Sequence, residues 1–293
     1  MKVAVTGASG FIGRRVVRDL EAAGHEVVRL VRSEEGMRAR TTRWALGEAL
    51  PSSCENIDAL VHLASSLLVE RSRHQEAFSK DVGGTKLLIE SIRRMRARGR
   101  VVRFIFISSQ SASESAKNFY GRSKKAIEQL LNEQDEIIVR PGLVYGAGEI
   151  RNVAAQLEKL SRLPVLPVLA TGRAIQPIHV DDLSQCIVMI TATASPMPVY
   201  YLGAPIAIDM QQFVREIARR QRRKAPLMVK MPATLVKLAA SLIDRASWGN
   251  TSLVERIDGL LGLAPMETSQ SIKRLGFELR PLALDDHAPP PER

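Results

Sequence analysis

Tyr120-Gly121-Arg122-Ser123-Lys124 sets a phenol and an ammonium four residues apart. On a helix, positions i and i+4 share one face, so the two groups lie close together. A free tyrosine gives up its proton only near pH ~10, too high for easy exchange at neutral pH. A neighbouring lysine cation stabilises tyrosinate, so the spacing predicts a lowered pKa for Tyr120. Tyr120 would then act as general acid or base on a carbonyl–alcohol pair. Shortly upstream, an apolar run ends in Ser108-Ser109-Gln110-Ser111, which supplies a hydroxyl to orient the substrate oxygen.

A second chemical signal opens the chain. Thr6-Gly7-Ala8-Ser9-Gly10-Phe11-Ile12-Gly13 follows a β-branched run and precedes a helical pattern. Gly7 permits a tight turn, Gly10 lets backbone approach a pyrophosphate, and Gly13 lets the helix pack close to the strand. The helix start then offers free N–H groups and a positive dipole end to phosphate. Ser9, Phe11 and Ile12 fall inside this phosphate loop, and Lys124 is expected to reach the nicotinamide ribose. The second strand ends at Arg32, where an acid would suit a ribose 2′-hydroxyl. Arg32, joined by Arg14, suits a 2′-phosphate instead. NADP is therefore preferred over NAD, the other reading being that both arginines are merely solvated.

These groups need a scaffold, and the pattern around them supplies one. Strand-like runs at 3–6, 26–31, 59–63, 101–107 and 136–139 alternate with helical spacing at 11–23, 82–98 and 120–132. Such alternation argues for an α/β, doubly wound parallel sheet of Rossmann type. After Gly148 the pattern changes: a helix at 151–161, an irregular apolar loop at 163–167, then strand and helix again at 175–183. From Ile206 onward it is mostly helical, broken at Pro226, Pro232 and Gly249, with a frayed tail from His287. The expected division is a dinucleotide domain of residues 1–150 plus 173–205. Residues 151–172 plus 206–293 would form a smaller, mostly helical C-terminal substrate cap.

Composition limits the alternatives. The chain has 293 residues, 45% of them hydrophobic and only 4% aromatic, so aliphatic packing dominates its core. No leader peptide and no bilayer-length apolar run is evident, and the expected location is cytoplasmic with no membrane partner. Cys54 and Cys186 read as reduced thiols, and no metal site is expected. The net charge is +11, with arginine clusters at 93–98 and 219–224. Nucleic-acid binding is one reading of that charge. Cationic helix ends facing solvent are the preferred one, since no nucleic-acid motif accompanies them.

As a set and in this order, the motifs resemble the extended short-chain dehydrogenase/reductase superfamily, the NAD-dependent epimerase/dehydratase branch. Besides the two signals above, the resemblance rests on Asp58-Ala59-Leu60-Val61-His62-Leu63-Ala64, Val82-Gly83-Gly84-Thr85 and Arg140-Pro141-Gly142-Leu143-Val144-Tyr145-Gly146. Ile178-His179-Val180-Asp181-Asp182-Leu183 completes it. It implies that Ser109 polarises the substrate, with Ser108 and Ser111 as fallbacks, that Tyr120 moves the proton, and that Lys124 is its partner. It implies that Leu63, Ala64 and Ser65 pass the cofactor and that Pro141 and Val144 meet the carboxamide. His179, Asp181 and His62 are expected to be structural. Asp81 stands where the family often has Asn, which alters the proton relay. The gap from Ser109 to Tyr120 is eleven positions, short for a sugar-nucleotide epimerase. No acidic pair of the dehydratase kind follows the serines.

The expected activity is an NAD(P)-dependent epimerase or carbonyl reductase on a nucleotide-linked sugar. Alternatives are a small ketone or sterol-like alcohol as substrate, or a non-catalytic NADP-binding scaffold subunit. A homodimer through segments 82–98 and 120–132 is implied by the resemblance only.

Overall fold

The computed structural model describes residues 1–33, 40–66, 73–132, 136–146, 161–169, 174–220, 224–246 and 253–281. β1 (Lys2–Thr6), β2 (Glu26–Val31), β3 (Thr41–Arg43), β4 (Ala59–His62), β5 (Arg103–Ile107) and β6 (Glu136–Pro141) lie in one sheet. With β10 (Val199–Leu202) they form seven strands in the order β10-β6-β5-β4-β1-β2-β3, every pair parallel. A doubly wound Rossmann sheet is what the alternation requires. Val3 and Val5 pack on one side, against Val16, Val17 and Leu20 of α1 (Phe11–Ala22). Ala4, between them, points to the other side, as the two-residue period of a strand dictates. There it joins Leu60, Phe104, and Leu88 and Ile92 of α2 (His74–Ala97).

α3 (Phe119–Glu128) covers the α2 side, touching α2 and placing Ile127 in the same cluster. α4 (Val180–Ala192) packs beside α1 on the opposite side. The strand order reverses at β1, which has β2 on one side and β4 on the other. In open α/β sheets this reversal leaves a crevice at the carboxyl ends of the strands, and ligands bind there.

Two small sheets lie apart from the main one. β7 (Leu143–Tyr145) pairs with β9 (Pro177–His179), and β8 (Val165–Leu169) pairs with β11 (Leu227–Met231). β8 corrects the expected irregular loop at 163–167. Its partner lies about sixty residues downstream, and Pro167 sits in a ladder with an open side, where a missing N–H is tolerated. β11 likewise interrupts the expected helical stretch. Elsewhere that stretch is helical: α5 (Met210–Arg220), α6 (Ala233–Ala246), α7 (Leu253–Leu261) and α8 (Ser269–Leu275). Leu166, Val168, Ile175, Ile208, Phe213 and Val214 form a separate core there. α8 packs against β10 and α4, and its Leu275 joins the α1-side core of the main sheet. Of the helix expected at 151–161, residues 151–160 lie outside the described residues, as do the break at Gly249 and the tail from His287.

The first arginine cluster is not simply a solvated helix end. Arg93 and Arg96 clamp Glu136, whose side chain is 0% exposed, at 2.7 and 3.3 Å. The Asn132 N–H donates to the same carboxylate at 2.7 Å. A fully buried carboxylate needs such partners, and these fasten α2 to the start of β6.

Candidate active site

Thr6 ends β1, and its hydroxyl accepts the N–H groups of Leu63 and Ala64 at 3.1 and 3.2 Å. The same oxygen meets His62 Nδ1 at 2.7 Å, while His62 Nε2 meets the Thr85 hydroxyl at 3.0 Å. His62 is therefore a buried link between β1, β4 and α2, as expected of a structural histidine. Burial pushes its pKa down to about 3. The anchoring role of Thr6 was missed; its only sequence signal is a hydroxyl placed between a buried strand and a glycine.

The glycine turn has the geometry its sequence requires. Gly7 has φ +65, in the left-handed region where a side chain is strained. A Cβ at Gly13 would sit 2.1 Å from the Gly7 carbonyl oxygen, so only glycine lets α1 approach β1 this closely. Gly10 caps α1 with extended backbone and no side-chain cap, so the first N–H groups of the helix face the crevice without an internal acceptor. Backbone donors and missing Cβ atoms fit a pyrophosphate. Gly7 also comes close to the β4 loop, since a Cβ there would lie 3.0 Å from Ala64 N. The two loops thus close the crevice from both sides. Ser9, Phe11 and Ile12 lie along this turn; Ser9 O accepts from Arg14 at 3.0 Å, and Arg15 lies over the Phe11 ring. Arg32 is exposed just past the end of β2.

Beyond Ala64, the carboxylate of Asp81 organises the loop. It accepts from the Ser65 hydroxyl at 2.6 Å, the Ser66 N–H at 2.7 Å and the Ser66 hydroxyl. Asp81 is 2% exposed and projects from α2. Its charge also acts on Tyr120 and Lys124. An asparagine at this position would supply no charge.

Tyr120 and Lys124 lie in the first turns of α3, whose start is capped by Asn118, its side chain accepting the Gly121 N–H at 3.1 Å. Lys124 Nζ donates to Ile107 O at 2.8 Å and lies 4.7 Å from the Phe106 ring centre. It is 5.7 Å from the centre of the Tyr120 ring. Burial pushes Lys124 down to about 8, against the pull of Asp81 and Glu128. Ser109 lies just past the carboxyl end of β5, near enough for its hydroxyl to act on the Tyr120 phenol, so serine, tyrosine and lysine come together.

One expectation fails. Lys124 does not lower the pKa of Tyr120, which is pushed up to about 12. Burial of the phenol is the main cause; the Ser109 hydroxyl lowers the value, and Asp81 raises it again. The ammonium lies nearer the Phe106 ring than the Tyr120 ring, and it is spent on a backbone carbonyl. Spacing predicted proximity correctly but not the cost of desolvation.

The fallback serines are otherwise engaged. Ser108 is buried and donates to Glu128 at 2.5 Å, and Ser111 meets the Ser109 hydroxyl at 2.9 Å. Glu128 also accepts from Arg140 Nε at 2.7 Å, which ties α3 to β6. Pro141 ends β6 buried, and Val144 is half-buried in β7 against the α1-side core. His179 caps α4 through Nδ1, accepting the Asp181 N–H at 3.2 Å, and Asp181 pairs with Arg15 of α1 at 3.2 Å. A cavity of about 410 Å³ lies beside this cap, with Tyr145, His179 and Arg280 among its walls; the catalytic candidates are not. Among the described residues no cluster of His, Cys, Asp or Glu could hold a metal. No helix of the described residues is long and apolar enough to cross a membrane.

Two glutamines, also missed, stitch the far segments to this site. Gln110 Nε2 donates to Ala174 O at 2.7 Å and to Ala264 O at 2.9 Å. Gln176 accepts the Met266 N–H at 2.6 Å and donates to Met266 O at 2.9 Å. From the same side, Glu255 of α7 accepts the Phe119 N–H at 2.8 Å. α7 therefore overhangs the turn that carries Tyr120.

The model of the NAD dependent epimerase/dehydratase family matches residues 3–203. A ceramide reductase of Caulobacter vibrioides is 28% identical over 276 residues, covering 88% of this chain and 81% of that one. A UDP-2-acetamido-2,6-beta-L-arabino-hexul-4-ose reductase of Pseudomonas aeruginosa is 33% identical over 146 residues, which is 50% of this chain and 34% of its own length. Among solved structures, human epimerase family protein SDR39U1 with NADPH superimposes with a TM-score of 0.71 at 19% identity, covering 97% of both chains.

Proposed function

The chain belongs to the NAD dependent epimerase/dehydratase family, and from that premise we propose that it is an NADP-preferring reductase whose working groups are Ser109, Tyr120 and Lys124. The observation that carries this reading is the placing of Tyr120 and Lys124 on one helical face, Lys124 Nζ 5.7 Å from the Tyr120 ring centre and bonded to the end of β5, with Ser109 just beyond that strand beside the switch-point crevice. The Tyr120 phenol, pushed up to about 12, stays protonated at neutral pH. It is poised to give a proton to a carbonyl oxygen, the direction of reduction. Bound in the crevice, the dinucleotide supplies the hydride. The Gly7–Gly13 turn and the N–H groups of α1 hold its pyrophosphate, Leu63, Ala64 and Ser65 form the opposite wall, and Pro141 and Val144 border the nicotinamide end. Arg32 and Arg14 favour the 2′-phosphate of NADP. Ser109 orients the carbonyl, Tyr120 protonates it, and Lys124 keeps the site cationic.

The substrate reading favoured here is an apolar ketone or alcohol bound beneath the cap, residues 151–172 plus 206–293. Its support is twofold. The ceramide reductase matches 88% of this chain and so reaches into the cap, whereas the nucleotide-sugar reductase matches only half of the chain. The cap helix nearest Tyr120, α7, carries half-buried Leu253, Val254, Ile257, Leu260 and Leu261. A nucleotide-linked sugar is the second reading, favoured by the family's chemistry and the basic surface.

The test is the oxidation of NADPH, and separately of NADH, in the presence of long-chain 3-ketones and of a UDP-4-keto sugar. Faster turnover with NADPH and the apolar ketones supports the reading. Turnover of the sugar nucleotide alone replaces it, and turnover of neither favours a cofactor-binding scaffold.

A further inference from the structure

The described residues leave eleven large hydrophobic side chains exposed, and seven of them fall in β8, β11, α6 and the residue leading into β8. Their arrangement is ordered. The register pairs Leu227 with Val165 and Val229 with Pro167, while the alternate positions Leu166, Val168 and Met228 face the core beneath. The outer face of this two-stranded sheet is therefore apolar, with Leu227 67% exposed and Val165 48% exposed. Only Pro232 separates β11 from α6, and α6 packs against β8. On α6, Leu235, Leu238 and Leu242 recur at helical spacing and are also exposed, Leu238 by 59%. Such positions form one stripe along a helix. Single exposed leucines are ordinary, but so many on one two-stranded sheet and the helix that follows it are not.

The charge around it decides what would cover it. Between Arg215 and Lys237 the sequence carries eight lysines or arginines against one acid, Glu216. Lys224, just before β11, and Lys230, within it, are exposed. An apolar surface of a second copy would meet the same cations and be repelled. A surface of anionic lipid head groups over acyl chains matches both features: cations against the head groups, leucines into the acyl boundary.

We propose that the outer face of β8–β11, with the leucine stripe of α6, docks on an anionic lipid bilayer. This goes beyond the reductase reading and stands or falls without it. The occupied surface is peripheral: leucines enter the interface while Lys224, three residues before the outward-facing Leu227, stays at head-group level.

The experiment is sedimentation of the full chain with vesicles of phosphatidylcholine alone and of phosphatidylcholine mixed with phosphatidylglycerol. The protein is expected to sediment with the mixed vesicles, less so at high salt, and not with phosphatidylcholine alone. Replacing Leu235→Ser, Leu238→Ser and Leu242→Ser together should weaken sedimentation about tenfold or more. NADPH binding, read by fluorescence, should stay unchanged and report an intact fold. Lys224→Glu should weaken sedimentation as well, without touching the apolar surface. No sedimentation with anionic vesicles, or equal sedimentation of both variants, overturns the proposal. So does a concentration-dependent dimer that the leucine variant abolishes, which would assign this face to a second copy.

Discussion

At the residue scale, burial outweighs spacing. Tyr120 and Lys124 were found by their four-residue interval, yet their ionisation is set by what surrounds them. Asp81 faces both, and its charge raises the pKa of each. Asp81→Asn removes that charge, so both pKa values fall, Lys124 from about 8 and Tyr120 from about 12. The ammonium is lost as pH rises through the Lys124 value, and turnover should be lost with it. The alkaline limb of a pH–rate profile should therefore lie near pH 8 in the wild type and move to lower pH in Asp81→Asn. An unmoved limb would separate Asp81 from the site.

His62 gives a stability test at the same scale. Its folded pKa of about 3 lies below the unfolded value of 6.5. Stability from neutral His62 is thus complete above pH 6.5 and falls as the unfolded chain takes up a proton below it. The loss should be about 1.4 kcal/mol per pH unit between those limits. Urea titrations of wild type and His62→Gln between pH 7 and pH 5 should differ by this slope, the wild type being the steeper.

At the element scale, the helix that pairs Tyr120 with Lys124 and the glycine turn are legible because each carries a local signature. Gly13 is the sharpest case, since its missing Cβ faces a backbone oxygen at 2.1 Å. Gly13→Ala should cost about 1–3 kcal/mol by forcing α1 off β1, and NADPH affinity should fall with it; unchanged affinity would contradict the assigned turn. The clamp on Glu136 was not legible, because the arginines of α2 and the acid of β6 are about forty residues apart in sequence. Removing the carboxylate breaks its bonds to Arg93, Arg96 and the Asn132 N–H, but Arg93, 41% exposed, stays hydrated, so Glu136→Ala should cost about 1–3 kcal/mol in chemical denaturation. β8 escaped for the same reason as the clamp: its partner is remote, and two prolines disguise the strand.

At the scale of the whole molecule, the sheet order could be anticipated from alternating strands and helices, because right-handed crossovers leave few topologies. What could not be anticipated is how the second half of the chain closes over the first. Gln110 follows the serine strand and Gln176 precedes β9, and neither has a periodicity that marks it. Together they bind the backbone of 174, 264 and 266 to the edge of the sheet beside Ser109. Gln176→Leu should leave the Met266 N–H without its Gln176 acceptor and loosen this closure. The expected result is a KM raised about tenfold with NADPH affinity unchanged, since losing a buried hydrogen-bond partner costs about 1–3 kcal/mol.

The central claim is that Tyr120 delivers the proton in a site organised around a dinucleotide. It is tested most directly by the NADPH-oxidation rate of Tyr120→Phe at saturating cofactor and substrate, beside its NADPH dissociation constant. The account expects turnover to fall about 10²–10⁴-fold with the dissociation constant within about twofold of wild type. A Tyr120→Phe enzyme that reduces its substrate at the wild-type rate would contradict it.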